Sequence, residues 1–296
     1  MIYCYHHNDV DGITAGAMVN LRFPEENKRF IELTYPVNGK NILEDLRLRV
    51  GINKIFFVDI AFGDEDKEFL TSLSKLCHDE NIEIIWIDHH EMSKQFRDNW
   101  NDIPYNIDAE IDTSACGALL TYNYLHKNDN MSTKIPAFLK LVDAWDRHLI
   151  KSSTWKVAVH FQYGITSEKG LNPQSEVYTE LLSSPYRAAE IADKGKIIWD
   201  YIDETNRKLI SKDGVVVKVN GLECLALNYH GTSMVFDSVR DKFPLCMQWH
   251  YDGKLYHYSI YTDSEDINCN LIAKAYGGGG HPGAAGFSST KLLFLN

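Results

Sequence analysis

The sequence predicts an α/β fold with an N-terminal parallel-sheet domain, a long helical connector and a smaller C-terminal α/β domain. In the first half of the chain, short, nearly uninterrupted apolar runs alternate with amphipathic runs, as in parallel sheets covered on both faces. A helical pattern follows over residues 174–210, and a hairpin signal stands at residues 251–254. We expect domain boundaries at 1–173, 174–212 and 213–296.

The first half of the chain contains three predicted strands, at residues 1–6, 54–60 and 82–87, all of them apolar. An amphipathic helix is expected over residues 13–23. The acidic run at residues 63–66 suits the start of a second helix, because the helix dipole favours negative charge there.

The rest of the chain divides into a helical part and a strand-rich part. Residues 112–125 and 136–142 are expected to be helical. The C-terminal part contains short strands, a hairpin and one helix, at 215–219, 223–227, 245–250, 255–262 and 266–276. A glycine run follows this helix.

Composition excludes several classes of protein. The net charge of −11 argues against a non-specific duplex binder, which needs a basic face. No run approaches the ~18 apolar residues of a membrane span. The first eleven residues contain neither Lys nor Arg, which excludes a secretory signal and predicts a cytoplasmic protein. The six cysteines are scattered singly through apolar stretches, as expected of reduced core residues.

Acidic and histidine residues follow several apolar segments. They are the run at residues 6–12, Asp59, the run at residues 88–90, and Asp143 with Asp146. Ligands of open parallel sheets bind beyond the carboxyl ends of the strands, so we expect the first three groups to meet at one edge. Each alone is also typical of a turn or a helix cap. Their recurrence favours a shared site.

Aspartate oxygens and imidazole nitrogens without thiolates favour an octahedral ion such as manganese or magnesium over structural zinc. The number of carboxylates predicts two ions, which together can stabilise the attacking and leaving oxygens of a displacement at phosphorus. Asp59 stands alone at the end of the central strand and is the expected bridge between them.

Two of these motifs resemble a known family. Asp88, His89 and His90, placed after the first acidic run and Asp59, resemble the motif of the DHH phosphoesterase superfamily. Residues 277–287 resemble the Gly-Gly-Gly-His motif of its companion DHHA1-type substrate-binding domain. The resemblance spans almost the whole chain and is strongest to the small oligoribonucleases, or nano-RNases.

The resemblance implies a role for each site residue. The implied metal ligands are His7, Asp9, Asp11, Asp59, His89 and Asp143. Asp59 would bridge two divalent cations, most typically Mn²⁺, with Mg²⁺ or Co²⁺ as alternatives, and would be catalytic. His90 would face the scissile phosphate as a catalytic and substrate-binding residue. His6 is an alternative to His7, and Asp146 an alternative to Asp143.

The glycine run would also contact substrate. Glycines let a backbone approach phosphate closely and offer consecutive N–H donors, whereas a flexible linker is the ordinary alternative. The implied substrate-binding residues are Gly278, Gly279, Gly280 and His281. The active site would then lie in the cleft between the domains, where only short substrates fit.

The implied activity is a metal-dependent hydrolysis of short single-stranded RNA, or another small nucleotide, to mononucleotides. No long duplex or membrane is an expected partner, and a homodimer fits the family. The alternatives are a cyclic mono- or dinucleotide phosphodiesterase and a phosphatase for 3′-phosphoadenosine 5′-phosphate. From another class, a catalytically inactive nucleic-acid-binding scaffold would be expected to have lost a metal ligand, whereas this chain keeps candidates for all of them.

Overall fold

A computed structural model of the protein describes residues 1–100, 104, 106–129 and 134–294. The chain divides into two compact units, Met1–Ile198 and Trp199–Asn296. Each unit is built on its own sheet. The predicted α/β class is therefore confirmed, whereas the predicted functional boundaries stay predictions.

The sheet of the first unit is five-stranded and wholly parallel. Its strands are β1 (Ile2–His7), β2 (Lys28–Leu33), β3 (Lys54–Val58), β4 (Glu83–Asp88) and β5 (Ile107–Ile111). The spatial order is β2-β1-β3-β4-β5. The chain reverses its direction of strand addition between β1 and β3. In open α/β sheets a crevice forms beyond the carboxyl ends of the strands at such a point.

Helices cover both faces of this sheet. They are α1 (Val10–Arg22), α2 (Gly39–Arg47), α3 (Lys67–Asp79), α4 (Glu91–Asn99), α5 (Gly117–His126), α6 (Ala137–Asp146), α7 (Trp155–Thr166), α8 (Glu176–Ser183) and α9 (Arg187–Asp213). The last of these continues into the second unit.

Alternate residues of the central strands enter opposite cores. Ile2 and Cys4 pack with α1, α5 and α6 in one core, whereas Tyr3 and Tyr5 pack with α2, α3 and α4 in the other. Burial on both faces explains why these strands are apolar almost throughout. The polar residues that follow each apolar run therefore mark its carboxyl end.

In its described residues the second unit contains a six-stranded sheet, the end of α9 and a short α-helix. Its elements are β6 (Val215–Val219), β7 (Leu222–Asn228), β8 (Leu245–Tyr251), β9 (Tyr256–Tyr261), α10 (Cys269–Lys274), β10 (Gly279–Gly280) and β11 (Ala284–Ser289). The order is β10-β11-β9-β8-β7-β6, antiparallel except for the parallel pair β7 and β8. The predicted hairpin joins β8 to β9.

Several elements differ from expectation. The sequence pattern did not predict β2 or β5, which form the two edges of the first sheet. The helical stretch expected at residues 174–210 is two helices, separated at a segment that contains Pro185. Proline lacks the N–H that would continue the helix. Within the described part of the chain, no helix is both long and apolar enough to span a membrane.

Candidate metal centre

The end of β1 and the loop after it place His7 beside Asp9. Asp9 is the N-cap of α1, and its Oδ1 accepts a hydrogen bond from the Gly12 amide at 2.9 Å. Its Oδ2 lies 2.9 Å from His7 Nδ1. A Cβ at Gly12 would come within 2.5 Å of the His7 carbonyl oxygen, so the close approach of the first turn of α1 to the end of β1 requires glycine. The cap therefore fixes Asp9 against His7.

Asp11 reaches from α1 to the N-terminus of α5. Its side chain is buried, and its carboxylate accepts the amides of Gly117 at 2.7 Å and Ala118 at 2.8 Å. Unpaired amides at the start of a helix favour a negative group. Burial, with Asp9 nearby, nevertheless raises the pKa of Asp11. Asp11 is thus held rigidly by backbone at the edge of the site.

Asp59 follows β3 in a left-handed backbone conformation, with φ of +56°. Its side chain is 1% exposed, and neither carboxylate oxygen has a hydrogen-bond partner in the described part of the chain. Burial and the charges of Asp11 and Asp9 raise its pKa well above the usual value. A buried, unpartnered carboxylate is strongly unfavourable unless a cation compensates it.

His89 lies between the carboxylates of Asp59 and Asp146. Its Nε2 is 3.3 Å from Asp59 Oδ1 and 3.3 Å from Asp146 Oδ2. Burial and the neighbouring His90 lower the pKa of His89 to about 4, so its ring is neutral near pH 7. Neutral imidazole is the form that binds metal ions.

His90 is held by the first residue of the same motif. Its Nδ1 lies 2.8 Å from Asp88 Oδ1, and its backbone amide donates to Asp88 Oδ2 at 3.3 Å. Asp88 is fully buried, whereas the His90 side chain is 39% exposed. A carboxylate on one ring nitrogen fixes the ring and leaves the other nitrogen for another partner. No feature of the sequence marks this role of Asp88.

The geometry separates the two pairs of alternatives. Asp146 joins His89 and Asp11 in one cluster, whereas Asp143 Oδ1 accepts the Cys116 amide at 2.8 Å and lies 3.4 Å from Arg147 Nη1. The structure therefore brings Asp146, and not the expected Asp143, to the centre.

His6 and His7 lie on opposite faces of β1. His6 is buried, and its Nδ1 lies 2.7 Å from the His7 carbonyl oxygen. His7 instead reaches Asp9 and Asp59. Successive side chains of a strand point to opposite faces, so only one of two adjacent histidines can join the cluster.

Three groups in the described part of the chain have ligand atoms close enough to hold one ion. They are His7 with Asp9 and Asp59, Asp11 with His89 and Asp146, and Asp59 with His89 and His90. Asp59 Oδ1 is 3.3 Å from His89 Nε2, and Asp59 Oδ2 is 3.8 Å from His7 Nδ1. The two oxygens of Asp59 thus face different histidines. The donor set and the unpartnered Asp59 carboxylate both fit divalent cations.

The glycine run lies in the second unit, where packing explains part of it. A Cβ at Gly278 would come within 2.1 Å of the Gly286 carbonyl oxygen, and one at Gly280 within 2.6 Å of Ala285 Cα. Gly279 has ordinary space around it, with Asn270 Oδ1 at 3.8 Å. Close pairing with β11 therefore requires two of the three glycines, and their contact with substrate stays a prediction, as does that of His281.

Comparisons with known proteins identify a family and a relative that this chain resembles. Residues 1–144 match the DHH family, N-terminal domain. Oligoribonuclease NrnB of Bacillus subtilis (strain 168) is 24% identical over 315 residues, covering 99% of this chain and 74% of that protein.

Two solved structures share the fold. The pGpG-specific phosphodiesterase PggH from Vibrio cholerae has 13% identity and a TM-score of 0.53, covering 98% of this chain and 94% of its own. RecJ from Thermus thermophilus, in complex with Mn²⁺, has 16% identity and a TM-score of 0.51, covering 99% of this chain and 50% of its own.

Proposed function

We propose, from the premise that residues 1–144 belong to the DHH family, that this phosphoesterase uses two divalent cations to hydrolyse short oligoribonucleotides to mononucleotides. The observation that carries the proposal is Asp59. Among the described residues its carboxylate is buried without a hydrogen-bond partner, and its two oxygens face histidines of two different clusters. Such a carboxylate suits a bridge between two cations better than it suits a fold without ions.

Six side chains would hold the ions: His7, Asp9, Asp11, Asp59, His89 and Asp146. This set replaces the expected Asp143 by Asp146, which shares a cluster with His89. Oxygen-rich sites with imidazole suit Mn²⁺, which is the ion in the RecJ complex. The number and identity of the ions belong to this proposal.

The reaction would be an in-line displacement at phosphorus. When bound, the two cations supply an activated water and stabilise the charge on the transferring phosphoryl group. Asp88 holds His90, whose outer ring nitrogen would hydrogen-bond the scissile phosphate. Gly279 and His281 are the proposed contacts to another part of the substrate, His281 through its imidazole and Gly279 through close approach to its backbone.

Short RNA is the proposed substrate because two relatives act on short substrates. NrnB is an oligoribonuclease whose match covers almost the entire chain. PggH is specific for pGpG, which is itself a dinucleotide. The retention of a candidate for every metal ligand favours an enzyme over an inactive nucleic-acid-binding scaffold. Cyclic nucleotides and 3′-phosphoadenosine 5′-phosphate are the competing substrates.

The first test is the release of mononucleotides from 5′-phosphorylated diadenylate and from pGpG in the presence of Mn²⁺. We expect release by the wild-type protein and none with a chelator or with Asp59→Asn. Asp79→Asn, which changes an exposed aspartate at the end of α3, is the matched control and should retain activity.

One result would reject the oligoribonuclease assignment while keeping the metal centre. The wild-type protein would fail on both dinucleotides yet hydrolyse a simple phosphodiester with Mn²⁺. Cyclic dinucleotides and 3′-phosphoadenosine 5′-phosphate would then be assayed in the same preparation.

A further inference from the structure

Tyr35 stands at the metal centre, although no motif in the sequence marks it. It follows β2, whose carboxyl end lies at the same edge of the sheet as those of β1 and β3. Its ring centroid is 5.4 Å from that of His7, with the rings tilted by 41°. Burial of the hydroxyl and the charges of Asp88 and Asp59 raise the pKa of Tyr35, so the phenol stays protonated.

The hydroxyl end of this side chain is fixed. The Ala61 amide donates a hydrogen bond to Tyr35 Oη at 2.6 Å. Ala61 is buried and lies two residues after Asp59, so the contact ties the phenol to the segment that carries the central carboxylate. With its hydroxyl bonded and its ring beside His7, the side chain is held in one position.

Even so, Tyr35 is 44% exposed. Single exposed aromatic residues are common on protein surfaces and need no explanation by themselves. This one differs in two respects, because it is anchored by a buried amide and because it adjoins the predicted ligands. An aromatic ring that is already ordered loses little conformational entropy when a flat ligand covers it.

We propose that Tyr35 is a stacking platform for the nucleobase of the nucleotide whose phosphate reaches the metal centre. The proposal rests on the proposed function and names how that site recognises a nucleotide. Stacking of a base on an aromatic ring accepts any base, because every base has a π face. The platform would therefore favour nucleotides over base-free phosphates without selecting a sequence.

The test compares adenosine 5′-monophosphate with ribose 5-phosphate, which carries the same phosphate without a base. Calorimetric binding in Mn²⁺ requires no turnover. For Tyr35→Leu we expect the dissociation constant of the nucleotide to rise about tenfold, while that of ribose 5-phosphate stays unchanged. Tyr35→Phe keeps the ring and should bind the nucleotide nearly as the wild type does. Tyr186→Leu, at an exposed tyrosine in the same unit, is the control.

Three outcomes would overturn the platform: equal weakening of both ligands by Tyr35→Leu, an effect of Tyr35→Phe as large as that of Tyr35→Leu, or wild-type binding that does not distinguish the two ligands. The second outcome would assign the role to the bond with Ala61, and a raised half-saturating Mn²⁺ concentration would accompany it. Failure of the oligoribonuclease assignment is separate, since it is measured by dinucleotide cleavage and not by binding of the mononucleotide.

Discussion

At the scale of single residues, the repulsion between buried carboxylates is centred on Asp59. Its carboxylate is buried among Asp11, Asp9 and Asp146. Like charges in a low-dielectric interior repel one another, and neutralisation of one of them relieves the repulsion. The ion-free protein is therefore destabilised at Asp59, and bound cations would remove this destabilisation.

We predict that Asp59→Asn stabilises the ion-free protein and abolishes most of its stabilisation by Mn²⁺. The amide keeps the shape of the carboxylate but removes a buried charge, so the free energy of unfolding in chelator should rise on the order of 1–2 kcal/mol. Denaturant unfolding with chelator and with excess Mn²⁺ measures both effects. A variant that is less stable than the wild type in chelator, while Asp79→Asn is not, would contradict the prediction.

A second prediction at this scale separates Asp146 from Asp143. Asp146→Asn removes a carboxylate from the cluster with His89, so we expect the half-saturating Mn²⁺ concentration to rise at least about tenfold. In Asp143→Asn the amide oxygen can still accept the Cys116 amide, so the metal dependence should change little. Activity titrated with Mn²⁺ in both variants decides the matter, and the reverse pattern would restore Asp143 as the ligand.

The sequence alone does not decide between His6 and His7 or between Asp143 and Asp146, for a physical reason. Both faces of β1 are buried in apolar cores, so the run of residues that precedes His6 and His7 does not reveal which face leads to the site. Asp143 and Asp146 are three residues apart on α6 and lie on neighbouring parts of the helix surface. Their tertiary partners distinguish them, and a single sequence does not contain those partners.

At the scale of elements, the interior strands were predictable and the edge strands were not. The central strands β3 and β4 are buried on both faces and read as continuous apolar runs. The edges β2 and β5 mix polar and apolar residues over five or six positions, a pattern that is also typical of loops. The candidate site could be located from the sequence because most of its residues follow the interior strands.

The glycine run offers a prediction at the same scale. Because Gly279 has room for a Cβ, Gly279→Ala should leave the thermal stability unchanged. If substrate approaches the backbone at Gly279 closely, the added methyl group should raise KM for the RNA dinucleotide about fivefold, while hydrolysis of a simple phosphodiester is unaffected.

Gly278→Ala is the contrasting variant. Its Cβ would collide with the Gly286 carbonyl oxygen, so a stability loss of about 1–3 kcal/mol is expected. If Gly279→Ala instead leaves both kinetic constants untouched, the glycine run serves the pairing of β10 with β11 and the substrate role of this loop is wrong.

At the scale of the whole molecule, charge limits what the protein can bind. The net charge is −11, from 41 acidic and 30 basic residues, and two divalent ions would offset only four of these charges. A nuclease that tracks long RNA gains affinity from basic residues that release counterions. This chain has the opposite balance, so we expect the attraction to come from the metal centre and to act over about one Debye length.

We therefore predict that added salt does not weaken the binding of long RNA, whereas it weakens binding to a basic nuclease. The effect of salt on KM should depend on RNA length. Moderate salt screens the repulsion between an acidic protein and a polyanion, and this repulsion grows with every added phosphate. From about 20 to 150 mM KCl, at fixed free Mn²⁺, KM for a dinucleotide should change little, whereas KM for a 20-residue RNA should fall or stay level. A KM for the long RNA that rises steeply with salt would instead indicate a basic binding track that net charge does not reveal.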